Sequence, residues 1–269
     1  MSATFFDTHA HLGFPDFENR VEEIIARAKE RGVSRIITIG TDLEGSMQAV
    51  AIAERYEPVY ASVGWHPSDC TSAPQKLPAE FRKLAEHPKV VAIGETGLDF
   101  SRLPSKSGGT EADDARYKER QLQLFIQQLE LAALTGHNVI IHQRDCFAET
   151  LTALRPWSKK LRAVFHCFVG TEEERIQIAA LGSIVSYTGI VTFKNAIQVR
   201  ETMKRTPLGS FMLETDSPFL APVPHRGKRC EPAFVADTAR FVADEKGCSV
   251  EELSAATCET ARTFFSKLK

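Results

Sequence analysis

Near the start of the chain stands a His-x-His pair, in the run Asp7-Thr8-His9-Ala10-His11. In extended backbone, residues two apart point to the same side, so His9 and His11 present two imidazoles together. Neutral imidazole is the commonest nitrogen ligand of divalent metals. Taken alone, such a pair is equally well two solvated histidines on a loop. Four more groups of ligand type recur just past β-like runs: Glu95 after 90–93, His142 after 139–141, His166 after 163–165 and Asp216 after 211–213. One polar group at a strand end is ordinary, but five strands ending this way form a pattern. A carboxylate beside an apolar strand also needs a partner, because burying an unpaired charge is costly. Four histidines and two carboxylates converging on one mouth would supply two adjacent divalent-metal sites. Zn²⁺ and Mn²⁺ suit this mixed set, while Mg²⁺ prefers oxygen. A lysine-bridged pair of metals is not expected, since Glu95 holds the fourth-strand position and Lys89 precedes that strand.

Further polar residues flank this set. The loop 220–232 carries His225, Arg226, Lys228 and Arg229 directly downstream of Asp216. Arginine forms bidentate bonds to phosphate oxygens, so Arg226, Lys228 and Arg229 are candidate substrate contacts. A run of cations is also the usual make-up of a solvated loop. Gly64-Trp65-His66-Pro67 follows the third strand. There His66 could bond a phosphate, and Trp65 could either stack on a base or pack inward. Glu214, Ser217, Thr96 and Asp99 are candidates for orienting a ligand. His87 and His137 fall on the opposite side of the strands and are assigned no role. Cys146 and Cys167 are expected to pack.

The elements that must position these residues alternate in type. Strands are expected over 4–8, 35–39, 59–63, 90–93, 139–141, 163–165, 183–186 and 211–213. Several are apolar throughout, as strands buried on both faces are. Helices are expected over 20–31, 46–55, 80–86, 116–134, 146–154, 172–181, 195–204, 232–246 and 249–266. Leu122, Phe125, Ile126, Leu129 and Ala133 share a spacing that gives 116–134 an apolar face. Eight strands, each followed by a helix, predict a TIM (β/α)8 barrel, whose active sites lie at the C-terminal ends of the strands. An open doubly wound sheet is the alternative. Segment 101–114, with Pro104, Gly108 and Gly109, reads as a mobile loop.

Composition narrows the function classes. The chain has 269 residues, 43% hydrophobic and 25% charged, which suits one barrel domain over 1–269 and excludes a disordered chain. Net charge is −2, so any polyanion must be drawn by metal ions or a local patch. Residues 1–14 are a poor leader, and no apolar run is long enough for a membrane span. Six cysteines form no CxxC pair, which fits reduced thiols in the cytoplasm. A monomer is expected.

The ordered motifs His-x-His, Gly94-Glu95-Thr96-Gly97-Leu98-Asp99, His142-Gln143-Arg144-Asp145, His166-Cys167-Phe168 and Glu214-Thr215-Asp216-Ser217-Pro218 resemble the TatD family of metal-dependent hydrolases and deoxyribonucleases, in particular its YjjV-type branch. The resemblance covers nearly the whole chain. It implies a TIM barrel with two divalent cations, one held by His9, His11, Glu95 and Asp216 and the other by Glu95, His142 and His166. Many members carry a second histidine where this chain has Ser68, and asparagine where it has Cys230. The expected activity is hydrolysis of phosphodiesters in single-stranded DNA or RNA by metal-activated water, as an exonuclease of the 3'-5' type. Asp216 is the expected proton acceptor and Glu95 the bridging carboxylate. The alternative is a hydrolase of a small amide, ester or phosphoester. A non-enzymatic barrel is disfavoured because the ligand set is complete.

Overall fold

The apolar runs all become strands of one sheet. The computed structural model describes residues 3–268, so the outermost ends of the expected domain, Met1, Ser2 and Lys269, lie outside the described residues. The strands are β1 (Phe5–Ala10), β2 (Val33–Ile39), β3 (Val59–Val63), β4 (Val90–Asp99), β5 (Asn138–Arg144), β6 (Ala163–Phe165), β7 (Ile184–Tyr187) and β8 (Phe211–Leu213). Each pairs in parallel with the next, in the order β1 to β8. The first and last strands meet through a bridge between Ala10 and Ser217, with His11 N–H donating to the Ser217 carbonyl at 2.8 Å. The sheet is thereby a nearly closed barrel, the expected TIM-type architecture.

Nine helices surround it among the described residues: α1 (Val21–Glu30), α2 (Leu43–Arg55), α3 (Glu80–Glu86), α4 (Glu111–Thr135), α5 (Phe147–Leu154), α6 (Glu172–Ala180), α7 (Ile197–Arg205), α8 (Val235–Lys246) and α9 (Val250–Phe264). None is long and apolar enough to cross a membrane. The barrel interior is filled by Phe6, Ile37, Val91, Ile140, Val164 and Met212, in one cluster with Phe264 and Phe265 at the end of α9. The Asn138 amide, at the start of β5, donates to the Phe264 carbonyl at 2.6 Å. The end of α9 thus closes the N-terminal end of the barrel with apolar side chains and leaves polar chemistry to the other end.

Three expectations are corrected. First, β4 runs to Asp99 rather than stopping at residue 93, and β5 runs to Arg144, so Glu95 and His142 lie within strands. Second, segment 101–114 is folded. It holds a 3-10 turn at Pro104–Ser107 and the first residues of α4, which begins at Glu111 because Thr110 and Asp113 form a reciprocal capping box. Ser105 N–H bonds Asp114, and the Lys106 ammonium donates to the carbonyls of Phe100 and Ser101. Third, Leu122 faces outward, while α4 buries Gln121, Leu124, Phe125, Gln128 and Leu129. The two glutamines sit on the inner face because their amides pair with strand-end backbone.

Asp7 ties the β8–β1 seam. Its fully buried carboxyl accepts from Thr215 N–H at 2.8 Å and Thr215 Oγ1 at 2.6 Å. Burial pushes this carboxyl up to about 8, against the pull of the Thr215 and His9 bonds. A folded-state pKa above the unfolded value means stability is full below the unfolded value near 4 and is lost as pH climbs towards 8. Asp7→Asn removes the titration; its amide oxygen can still accept from Thr215 N–H, while its amide nitrogen would donate to Thr215 Oγ1. In chelated protein unfolded by urea, the stability difference in the variant's favour should widen from pH 5 to pH 8, by up to about 1.4 kcal/mol per pH unit. A difference that stays constant with pH would contradict this assignment.

Candidate metal centre

Glu95 reaches the centre because β4 is pressed against its neighbours. The β4–β5 register shifts between Ile93 and Thr96. Gly94 has φ +153°, and a Cβ there would stand 2.7 Å from the Cβ of Ile140. Gly97 has φ +134°, and a Cβ would run into the His142 carbonyl. Only glycine allows this approach and these angles, which explains the two glycines flanking Glu95-Thr96.

The result is a carboxylate shared between two groups of imidazoles. Glu95 Oε2 lies 3.4 Å from His9 Nε2 and 3.8 Å from His11 Nε2. Glu95 Oε1 lies 2.8 Å from His166 Nε2, 2.9 Å from His142 Nδ1 and 3.4 Å from His66 Nε2. Asp216 Oδ1 joins the first group, 3.6 Å from His9 Nε2 and 3.3 Å from His11 Nε2. Two triads of closely converging donor atoms share Glu95: His9 and His11 complete one, His66 and His142 the other. The structure therefore brings together all six residues expected from the strand ends, and adds His66, which was expected further out as a substrate contact.

Electrostatics favours positive charge here. Burial alone would lift Glu95, yet the charges of His166, His66 and His9 hold its carboxyl well below the usual range. Burial would lower His166, but the nearby Glu95 and Glu214 carboxylates raise it well above its ordinary value. His9 moves the other way, lowered by burial and by the neighbouring His166 charge. Outer carboxylates orient the imidazoles. Asp99 Oδ2 meets His142 Nε2 at 3.0 Å. Glu214 lies 3.5 Å from His166 Nδ1 and accepts from Cys167 N–H at 2.6 Å and Ser186 Oγ at 2.7 Å.

Residues 6–266 match the family model described as TatD related DNase. The chain belongs to the TatD family of metal-dependent hydrolases. It is 36% identical over 261 residues to the uncharacterized metal-dependent hydrolase YabD of Bacillus subtilis, covering 97% of this chain and 98% of that one. It is 36% identical to the 3'-5' ssDNA/RNA exonuclease TatD of Cronobacter sakazakii, covering 97% and 98%. The crystal structure of YjjV, a TatD homologue from Escherichia coli, superposes with a TM-score of 0.85 at 28% identity, covering 97% and 98%. The metal dependence of TatD hydrolases demands a donor set, and this one fits. His9 is fully buried, yet neither of its ring nitrogens has a hydrogen-bond partner, a costly state that a cation on the nitrogen facing Glu95 would relieve in part.

Other expected residues lie elsewhere. Trp65 is buried, packs on Phe81 and donates to the Asp69 carbonyl at 3.1 Å, so it belongs to the core. His225 stacks on Phe234 and meets Asp237 at 3.1 Å, which holds the basic loop against α8. The Arg226 guanidinium lies on the Phe193 ring, and Arg229 donates to the Asp16 carbonyl. Lys228 is exposed. Residues overlooked in the sequence include Gln128, whose amide brackets the Trp65 backbone at 2.7 and 3.0 Å, and Gln121, which does the same for Asp99. Their signal was available: two glutamines seven apart on the face of a helix that otherwise buries leucine and phenylalanine.

Because these donors converge only in the folded protein, a divalent cation should stabilise it. Chelated protein supplied with Mn²⁺ or Zn²⁺ at a hundred times Kd should melt about 5 °C higher. His9→Ala and Glu95→Ala should each abolish most of that rise in differential scanning fluorimetry, and an unchanged rise would sink the assignment.

Proposed function

We propose that this TatD-family chain is a 3'-5' exonuclease on single-stranded DNA or RNA, using two divalent cations, Zn²⁺, Mn²⁺ or Mg²⁺. His9, His11, Glu95 and Asp216 would hold one cation, and Glu95, His142 and His166 the other. The observation that carries the reading is the Glu95 carboxylate, whose two oxygens face two separate imidazole groups. Relatives named as ssDNA/RNA exonucleases support the substrate class. Bound cations in such a centre make hydroxide available near neutral pH and neutralise phosphate oxygens.

The chain's own residues supply the rest. Asp216 is the proton acceptor. Its side chain is 15% exposed, so water reaches it. Burial opposes its ionisation, but the His11 bond and the neighbouring imidazoles hold the carboxyl below its ordinary value, so it is ionised and has a free site for a proton. Glu214 and Asp99 keep His166 and His142 in fixed tautomers. His66, beside the same Glu95 oxygen as His142, bonds a phosphate oxygen of the substrate. Arg226, Lys228 and Arg229 draw the backbone to the mouth. A narrow barrel mouth suits a strand end better than the middle of a duplex. We take the protein as a monomer. Six free thiols support a reducing compartment, the cytoplasm.

Two experiments test this. An end-labelled single-stranded oligonucleotide incubated with remetallated protein should shorten from its 3' end, chelator should stop it, and Asp216→Asn should lower kcat about 10²–10⁴-fold. Arg226→Ala combined with Lys228→Ala should raise KM for the oligonucleotide about tenfold while leaving turnover of a small neutral ester unchanged. Cleavage of the ester with no action on the oligonucleotide would favour the small-substrate hydrolase instead.

A further inference from the structure

Phe219 lies three residues past Asp216, in a turn closed by its own N–H donating to the Asp216 carbonyl at 3.0 Å. Its side chain is 51% exposed, and it is the one aromatic among the exposed large apolar side chains of the described residues. An aromatic ring left in water beside a reaction centre calls for an explanation, since most rings of this chain are buried.

The ring has a defined place. Its centroid stands 6.2 Å from that of His11 at 67°, and 6.2 Å from that of Phe14 at 75°. Phe14 stacks on His11, 4.4 Å away and 23° from parallel. Three rings thus form a corner, with Phe14 flat on His11 and Phe219 standing across them. His11 Nε2 is 3.3 Å from Asp216 Oδ1, so the corner begins at the reaction centre itself. Its backbone is tied down: Cys230 N–H donates to the Pro218 carbonyl at 3.0 Å, and Val223 N–H to Thr192 Oγ1 at 2.9 Å.

Neither phenylalanine side chain has a donor or acceptor with which to read a base edge. Each offers a π face, and so does every nucleobase, whatever its identity. We propose that the Phe14–Phe219 corner stacks the nucleobase adjoining the scissile phosphodiester, which makes Phe219 a specificity-determining residue for base-bearing over base-free strand ends. The inference rests on the nuclease reading above. It implies little preference among the four bases and a marked preference for any base over none.

The test separates stacking from cleavage. Single-stranded oligonucleotides carry the fluorescent base 2-aminopurine at the 3'-terminal or penultimate position, and matched ones carry an abasic residue there. Binding is read by 2-aminopurine quenching with chelated protein and again with Mn²⁺, and cleavage by end-labelling. Wild type should quench the probe at one of the two positions and should cleave the base-bearing end about tenfold better in kcat/KM than the abasic end. Phe219→Ala should lose the quenching and bring the ratio near one, with an unchanged melting temperature; Phe219→Trp should keep both. Quenching without cleavage would retain the platform and remove the nuclease reading. Absence of quenching in wild type, or a Phe219→Ala variant that slows both substrates equally, would overturn the platform.

Discussion

A single buried carboxylate organises this protein. Glu95 sits in the barrel mouth with five imidazoles within 3.8 Å of its two oxygens. Such a charge is tolerated in a low-dielectric interior only when surrounded by compensating groups. Much of the local architecture follows from meeting that demand. The shifted register of β4, its two positive-φ glycines and its close approach to β5 bring Glu95 to His142. The nearly closed seam between β8 and β1 brings Asp216 against His9 and His11.

The two ends of the barrel divide the work. At the N-terminal end, α9 covers the interior with Phe264 and Phe265. The mouth collects histidines and carboxylates that would be destabilising anywhere else in the core. Asp7 stands where the two meet. It gives up easy ionisation in order to hold Thr215, the residue before Asp216, in place. The mouth thus draws on the stability of the plugged barrel, an arrangement in which a polar site is supported by an apolar scaffold.

Support for the centre also comes from α4. Gln121 and Gln128 pin the backbone of Asp99 and Trp65, and through those neighbours they position the partner of His142 and the segment bearing His66. Segment 101–114 looks like loop in the sequence because of its proline and glycines. It is ordered by side chains from both sides, with Asp114 reaching back to Ser105 and Thr110 starting α4 early.

Sequence by itself determined the fold class and the ligand types. Eight apolar runs alternating with amphipathic segments admit few architectures, and chemistry-bearing residues placed after five of those runs share one mouth in a barrel. Strand alternation was enough to pair His9 with His11. Tertiary structure alone decided which Glu95 oxygen each imidazole approaches and how near His66 stands to it. Which oxygen faces which imidazole depends on a register shift between β4 and β5, and on contacts between strands far apart in sequence. The same reason hid the roles of Asp7 and the α4 glutamines. Local patterning reports what a residue is and which face it occupies, whereas its partner across the barrel is fixed by packing distances of a few ångströms that no local pattern encodes.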